Sequence, residues 1–126
     1  MRKSIPATNV ACNAVTALAN DGSTFSSGFL NLYNSDSTIV ARLPLSYPFA
    51  FQDSTDGTAF SNQIFDATAF MDATIATYDI SNRDLEYVWD GAVSTLSGYG
   101  DMKLPSLVVT QDSTISISVG FYAVPR

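Results

Sequence analysis

The sequence predicts a mainly β fold, an antiparallel β-sandwich or jelly roll with one short N-terminal helix. Charged residues make up only 14% of the 126 residues, while serine and threonine number 28. Only Glu86 among the twelve acidic residues is glutamate, whereas helical proteins use many glutamates and lysines. After Gly22 the chain consists of short alternating apolar and polar runs separated by turn residues. No internal repeat or linker is evident, so residues 1–126 are predicted to form one domain.

One helix is predicted over residues 6–20, after a basic arm at residues 1–5. Apolar side chains recur there at intervals of three and four residues, which places them in one stripe along a helix. Ser4 can cap its start, Pro6 fits its first turn, and Asn20-Asp21-Gly22 can end it. The stripe is mostly alanine, so the helix can lie close to a sheet or to a partner.

Strands are predicted across residues 28–124. Pro44 places the second strand at a sheet edge or ends it, because proline cannot donate a ladder hydrogen bond. Ser81-Asn82-Arg83-Asp84 is a predicted hairpin turn, and Gly91 predicts a bulge or a close backbone approach. The predicted strands cover residues 28–33, 39–45, 58–65, 74–80, 85–93, 102–104 and 114–124, with an apolar run at 107–109.

The charge distribution argues against a nucleic-acid partner. Between residues 4 and 125, twelve acidic residues stand against three basic ones, Arg42, Arg83 and Lys103, and such a body repels phosphate backbones. The apolar runs are shorter than the ~18 residues of a membrane span, and residues 7–20 are too polar for a signal-peptide core. We therefore expect neither nucleic acid nor membrane as a partner, and folding in a cytosol.

No group of residues predicts catalysis, a cofactor or a metal site. The chain has no histidine, which removes the usual general base and metal ligand, and Cys12 is its single cysteine. Acidic residues gather between Asp79 and Asp90, but aspartate in turns usually bonds its own backbone. The oxygen ligands at 53–57 lack the spacing of the twelve-residue calcium loop.

Aromatic residues give the strongest indication of function. They form 12% of the chain and crowd its first half, which is more than a domain of this size readily buries. Some are therefore expected at a protein–protein interface, where aromatic anchors dominate the binding energy. Tyr87 and Trp89, two positions apart on one predicted strand, offer an alternative as a sugar-binding platform. Core packing is the favoured interpretation of these two rings.

Several motifs follow one another along the chain. They are ACNAV at 11–15, GFLNLY with its Asn-Ser-Asp turn, Val40 to Ser46, Pro48-Phe49-Ala50-Phe51, ATIATYDISNRD, Val88 to Val93, and a closing strand that alternates with serine and threonine. In this order they resemble a group of small structural proteins encoded by tailed bacteriophages and prophages. The resemblance spans nearly the whole chain.

This resemblance implies a virion structural protein without catalytic residues, most directly a capsid decoration, or cement, protein. The expected partners are the major capsid protein of a phage head and further copies of this chain, in a dimer or trimer. Its expected location is the capsid surface, after synthesis in the host cytoplasm. A tail or neck component, a carbohydrate- or receptor-binding module and, last, an enzyme are the alternatives. The residues expected at an interface are Arg2, Lys3, Val10, Ala14, Phe49, Phe51 and Arg126.

Overall fold

The computed structural model describes residues 13–50, 58–60, 62–95, 97–98, 102–117 and 121–123. They contain one short helix, α1 (residues 13–18), within the predicted helical segment, of which residues 6–12 lie outside the described part. No helix in these ranges is long and apolar enough to cross a membrane. The strands are β1 (Phe29–Tyr33), β2 (Ile39–Pro44), β3 (Thr58–Phe60), β4 (Ala67–Thr68), β5 (Ala73–Thr74), β6 (Thr77–Ser81), β7 (Tyr87–Thr95), β8 (Met102–Leu104), β9 (Val108–Val109), β10 (Thr114–Ile115) and β11 (Phe121–Ala123).

Five strands form the main sheet, which curls into a half-barrel with the order β2-β1-β6-β7-β8. The first four strands are antiparallel to their neighbours, whereas β8 runs parallel to β7. The predicted mainly β class with one short helix is confirmed. The antiparallel sandwich or jelly roll is not confirmed, because the main sheet is a mixed sheet that curls into an open half-barrel.

Two hairpins of one design make up most of this sheet. The β1–β2 hairpin turns through Asn34 to Thr38, and the β6–β7 hairpin turns through Asn82 to Glu86. In each loop the backbone N–H of the asparagine donates to the carbonyl of the fifth residue, at 3.1 and 2.9 Å. The asparagine Oδ1 accepts from the third and fifth backbone amides. The predicted hairpin turn at 81–84 is thereby confirmed.

The two hairpins also share a bulge. The register skips Val40 in the first hairpin and Val88 in the second, so each valine is an extra residue on its strand. Strands β1 and β6 then pair so that Asn31 faces Asp79, the residue at the equivalent position of the other hairpin. An approximate twofold axis normal to the sheet therefore passes between Asn31 and Asp79. The two hairpins therefore resemble each other in structure, although no internal repeat is evident in the sequence.

A bent antiparallel ribbon closes one side of the sheet. Strands β4 and β5 pair with β10 and β9 in a single register, interrupted by a bend at residues 70–72 and 110–112. The ribbon attaches to β2, because Phe65 and Phe70 donate backbone hydrogen bonds to the carbonyls of Pro44 and Val40.

The predicted end of the second strand at Pro44 is confirmed. The predicted long strand over 114–124 appears as the separate strands β10 and β11, with residues 118–120 outside the described part.

The inner face of the main sheet supplies the core. Successive strand residues point to opposite faces, so alternate positions on β1, β2, β6 and β7 are buried. Trp89 packs here against Phe49, with ring centroids 5.7 Å apart. Each fully buried large apolar side chain contributes about 1.5–3 kcal/mol to folding. The largest of these side chains are Leu30, Leu32, Leu43, Leu45, Ile75 and Val40.

Candidate interaction surface

A row of polar residues crosses the outer face of the main sheet. It consists of Arg42 on β2, Asn31 on β1, Asp79 on β6 and Asp90 on β7, each directly opposite the next in the strand register. We call these four residues the polar row. Each belongs to a different strand, so the row spans four strands of the sheet, from the β2 edge to β7.

Asn31 is the centre of the polar row and is buried, with 3% of its surface exposed. Its Nδ2 donates to Asp79 Oδ1 at 2.7 Å and to Ser81 Oγ at 3.1 Å. Its Oδ1 accepts from Arg42 Nε at 2.8 Å. All the polar atoms of this carboxamide are therefore satisfied, which is the condition under which a buried amide stabilises a fold.

Tyrosine hydroxyls complete the hydrogen bonding of the two carboxylates. Tyr33 donates to Asp79 Oδ2 at 2.9 Å. Burial, and then this hydrogen bond, raises the pKa of Tyr33 from 10.0 to about 12. Desolvation and a hydrogen bond to Asp90 raise the pKa of Tyr87 as well. Like charges directly opposite on paired strands repel, so these donors offset the repulsion between Asp79 and Asp90.

Charge changes sign along the polar row. Arg42 stands at one end, the neutral Asn31 follows, and Asp79 and Asp90 occupy the other half. Arg42 and Asp90 hold equivalent positions in the two hairpins, as do Asn31 and Asp79. The approximate twofold axis thus relates a positive site to a negative one.

A second surface lies at the end of the sheet that carries the Asn82–Glu86 loop. Four residues form it, Phe25, Tyr47, Arg83 and Leu85, and we call it the aromatic end. The side chains of Tyr47, Phe25 and Leu85 are 60%, 41% and 41% exposed. Phe25 also meets Phe29 edge to face, with ring centroids 5.2 Å apart. The guanidinium of Arg42 lies 5.9 Å from the Phe29 centroid, so the aromatic end is continuous with the polar row.

Arg83 holds the aromatic end together. Its guanidinium lies 5.1 Å from the centroid of the Tyr47 ring, and its Nε donates to the carbonyl of Phe25 at 2.7 Å. Its backbone N–H donates to the Asp21 carbonyl, and its carbonyl accepts from the Phe25 N–H. Three separate segments of the chain are therefore joined at one residue.

Asp84, the next residue, fixes the loop at 21–25 from the other side. Its Oδ1 accepts hydrogen bonds from the backbone amides of Ser23 and Thr24, at 3.0 and 2.9 Å. These bonds, with that of Ser23 the largest cause, lower the pKa of Asp84 from 3.8. The carboxylate of Asp84 therefore serves as a structural cap.

Of the interface residues predicted from sequence, the structure describes only Ala14 and Phe49, and neither belongs to these surfaces. Arg2, Lys3, Val10, Phe51 and Arg126 lie outside the described residues. Ala14 is exposed on α1. Phe49 is 4% exposed and packs in the core, so its ring is not available on the surface.

The sugar-binding platform, given as the alternative for Tyr87 and Trp89, does not form. The bulge at Val88 places Tyr87 opposite Ser81 on the outer face and Trp89 opposite Ile80 on the inner face. Tyr87 is 63% exposed and Trp89 is 9% exposed. The favoured interpretation, core packing, is confirmed for Trp89 and is wrong for Tyr87.

The other described parts of the structure contain few groups that could bind a ligand or a metal. A groove of about 320 Å³ beside β9 and β10 has a lining of apolar and hydroxyl side chains, Ile75, Leu104 and Ser113 among them, without a charged group. The described residues contain no cluster of three or more potential metal-binding side chains. The turn at 53–57 lies outside them.

The polar row has a signal in the sequence. Asn31 interrupts the apolar strand FLNLY, and Asp79 is the middle residue of TYDIS. The motif Asn-x-Asp follows each of these strands, at residues 34 and 82. Comparisons with protein-family models, curated proteins and solved structures found no significant match.

Proposed function

We propose that this chain is a structural protein of a tailed-bacteriophage virion, a capsid decoration protein that binds the major capsid shell and stabilises the head. The resemblance in the order of its motifs supports the virion role. The polar groups of the outer face bond one another and form no arrangement of acid, base and nucleophile, which favours binding over catalysis. The protein acts by contact and performs no chemistry.

The aromatic end is the observation that carries this proposal. Binding energy at protein interfaces concentrates in tyrosine, tryptophan and arginine side chains that fill pockets on the partner. Tyr47 and Arg83 are residues of this kind, and Phe25 and Leu85 add exposed apolar area beside them. Exposed apolar groups gathered at one place mark an interaction site.

The aromatic end is also held in place before any partner binds. Arg83 joins the segments at 21–25 and 47 to the hairpin loop, and Asp84 caps the same segment. Ordering side chains at an interface costs about 0.5–1.5 kcal/mol for each one immobilised. A surface that is already ordered avoids much of this cost, which favours repeated attachment to a shell.

The proposal is tested with purified heads that lack this chain, to which the full-length protein is added back. Tyr47→Ala should strongly reduce the number of copies bound per head. Phe70→Ala is the matched control, because Phe70 is a comparably exposed ring on a different part of the surface. Wild-type protein that leaves the heads bare contradicts the proposal, and equal binding by Tyr47→Ala contradicts the role of the aromatic end.

A tail or neck component of the same virion is the alternative that the same surface supports. A small β domain with an ordered docking end can attach equally to a tail tube or to a capsid. Binding of the added protein to tails, with heads left bare, would favour this alternative. A carbohydrate-binding module loses its main support, because Trp89 is in the core.

A further inference from the structure

We propose that two copies of this chain associate face to face through the outer faces of their main sheets. The twofold axis of this dimer runs parallel to the strands. This association concerns the isolated protein and does not depend on the virion role. The occupant of the outer face is therefore a second copy, and the polar row is the centre of the contact.

The order of charges along the polar row selects this arrangement. A twofold axis parallel to the strands reverses the row of the second copy from side to side. Arg42 then faces Asp90 of the second copy, and Asn31 faces Asp79. Both ends of the row meet a group of opposite charge. In the middle, the neutral and buried Asn31 stands opposite Asp79, so no like charges meet there. A twofold interface needs a surface that complements itself in this way.

The other twofold axis in the plane of the face gives the opposite result. An axis across the strands would place Arg42 on Arg42, Asp79 on Asp79 and Asp90 on Asp90 of the second copy. Like charges brought together across an interface strongly oppose association. The charge pattern thus favours the axis parallel to the strands over the axis across them.

The neighbouring row supports the parallel axis as well. Residues Pro44, Phe29, Ser81 and Tyr87 oppose one another across the same four strands. The same rotation places the exposed ring of Tyr87 on Pro44 of the second copy, an apolar contact. The outer face of a curled sheet is convex, so contact is closest at β1 and β6. The long side chain of Arg42 can span the wider gap at the edges.

The dimer has a consequence for docking. A twofold rotation about an axis parallel to the strands does not reverse the strand direction. Equivalent ends of the two sheets therefore point the same way. The two aromatic ends therefore lie on the same side of the dimer, where both can contact one partner surface. Four short strands bury less than the ~800 Å² per partner of a standard interface, so the dimer is weak and depends on concentration.

Charge-reversal variants test this contact. The readout is the mass of the full-length chain in solution, measured by analytical ultracentrifugation at concentrations up to millimolar. The wild type should approach twice the 13.5 kDa of one chain. Arg42→Asp and Asp90→Arg each place two like charges together, and each should raise the dimer dissociation constant roughly tenfold or more. Asp66→Arg makes the same change in charge as Asp90→Arg on an exposed residue outside the main sheet, and should leave the constant unchanged.

Mixing the two variants separates a lost contact from a lost fold. In the mixed dimer, the aspartate introduced in one variant faces the arginine introduced in the other, and the unchanged Arg42 faces the unchanged Asp90. Both pairs attract again, so the mixture should associate as the wild type does. A wild type that stays monomeric, single reversals without effect, or a mixture that does not associate would each overturn the proposal. The heads take no part in this measurement, so its outcome is independent of the decoration test.

Discussion

Asn34 and Asn82 hold the two hairpin loops of the main sheet by the same set of hydrogen bonds. Each Oδ1 accepts from the backbone amides two and four residues later, at 2.9 to 3.0 Å. Asn82 is more deeply buried, and its Nδ2 also donates to Glu86 Oε1 at 3.2 Å. The same hydrogen-bond pattern therefore supports the exposed loop at Asn34 and the loop at Asn82 beneath the aromatic end.

Replacing these asparagines should destabilise the fold to different extents. Asn82→Ala removes a buried side chain that accepts from the Asp84 and Glu86 amides. It should lower the free energy of unfolding by about 1–3 kcal/mol, and Asn34→Ala by about 1 kcal/mol. Ser35→Ala, in the exposed loop, is the control and should stay within about 0.5 kcal/mol of the wild type. Urea denaturation measures all three, and equal effects of Asn82→Ala and Ser35→Ala would contradict the loop argument.

The second prediction concerns the polar row. Asn31→Leu keeps a similar volume but removes the acceptor of Arg42 and the donor to Asp79, so it should cost about 2 kcal/mol or more. Thr77→Ala, an exposed position on the same face, should cost much less. Chemical denaturation compares the two variants. An unchanged free energy of unfolding for Asn31→Leu would show that the polar row does not stabilise the fold.

The third prediction concerns alkaline pH. Folding raises the pKa of Tyr33 from 10.0 to about 12, so the folded chain holds this proton more tightly than the unfolded chain. The resulting stability is complete below pH 10.0 and is lost as the pH rises towards about 12. Tyr33→Phe should therefore lose less stability than the wild type across this interval, when the free energy of unfolding is followed against pH. Phe70→Leu changes an exposed ring that does not titrate, so it is the control and should keep the wild-type slope. Identical slopes for Tyr33→Phe and wild type would refute the assignment.

The fourth prediction concerns Gly28, where two backbone segments meet. A Cβ at this position would lie 2.5 Å from the Ser81 carbonyl oxygen and 2.6 Å from that of Ala19. Neither atom can move without shifting its own segment, so Gly28→Ala should destabilise the protein by about 3 kcal/mol or more. Ser26→Ala, two residues away and exposed, should have little effect. Thermal unfolding compares the two, and an unchanged midpoint for Gly28→Ala would contradict the close approach.

Local patterns in the sequence predict much of the main sheet. Alternation predicts β1 and β6, turn chemistry predicts the loop at Asn82, and the missing amide of Pro44 predicts the end of β2. These features depend on neighbouring residues only, so one sequence is enough to identify them. The edge position of β8, by contrast, follows from a parallel pairing with β7 that no local pattern encodes.

Features that depend on distant pairing are not predictable in this way. The repeat of the two hairpins is hidden because between residues 30–43 and 78–91 only Asn34/Asn82, Asp36/Asp84 and Val40/Val88 are identical. The bulge at Val88 reverses the face of Tyr87 relative to Trp89, which strict alternation cannot anticipate. The aromatic end joins residues 25, 47 and 83, so only the folded chain brings them together.

The proposed function requires that this protein bind the outside of a phage head through its aromatic end. Cryo-electron microscopy of intact particles produced from the genome that encodes the chain tests it most directly. The predicted result is density for this fold at regular positions on the outer capsid surface, with Phe25, Tyr47 and Arg83 facing the shell. Bare capsids, or density for this chain confined to the tail or neck, would contradict the claim.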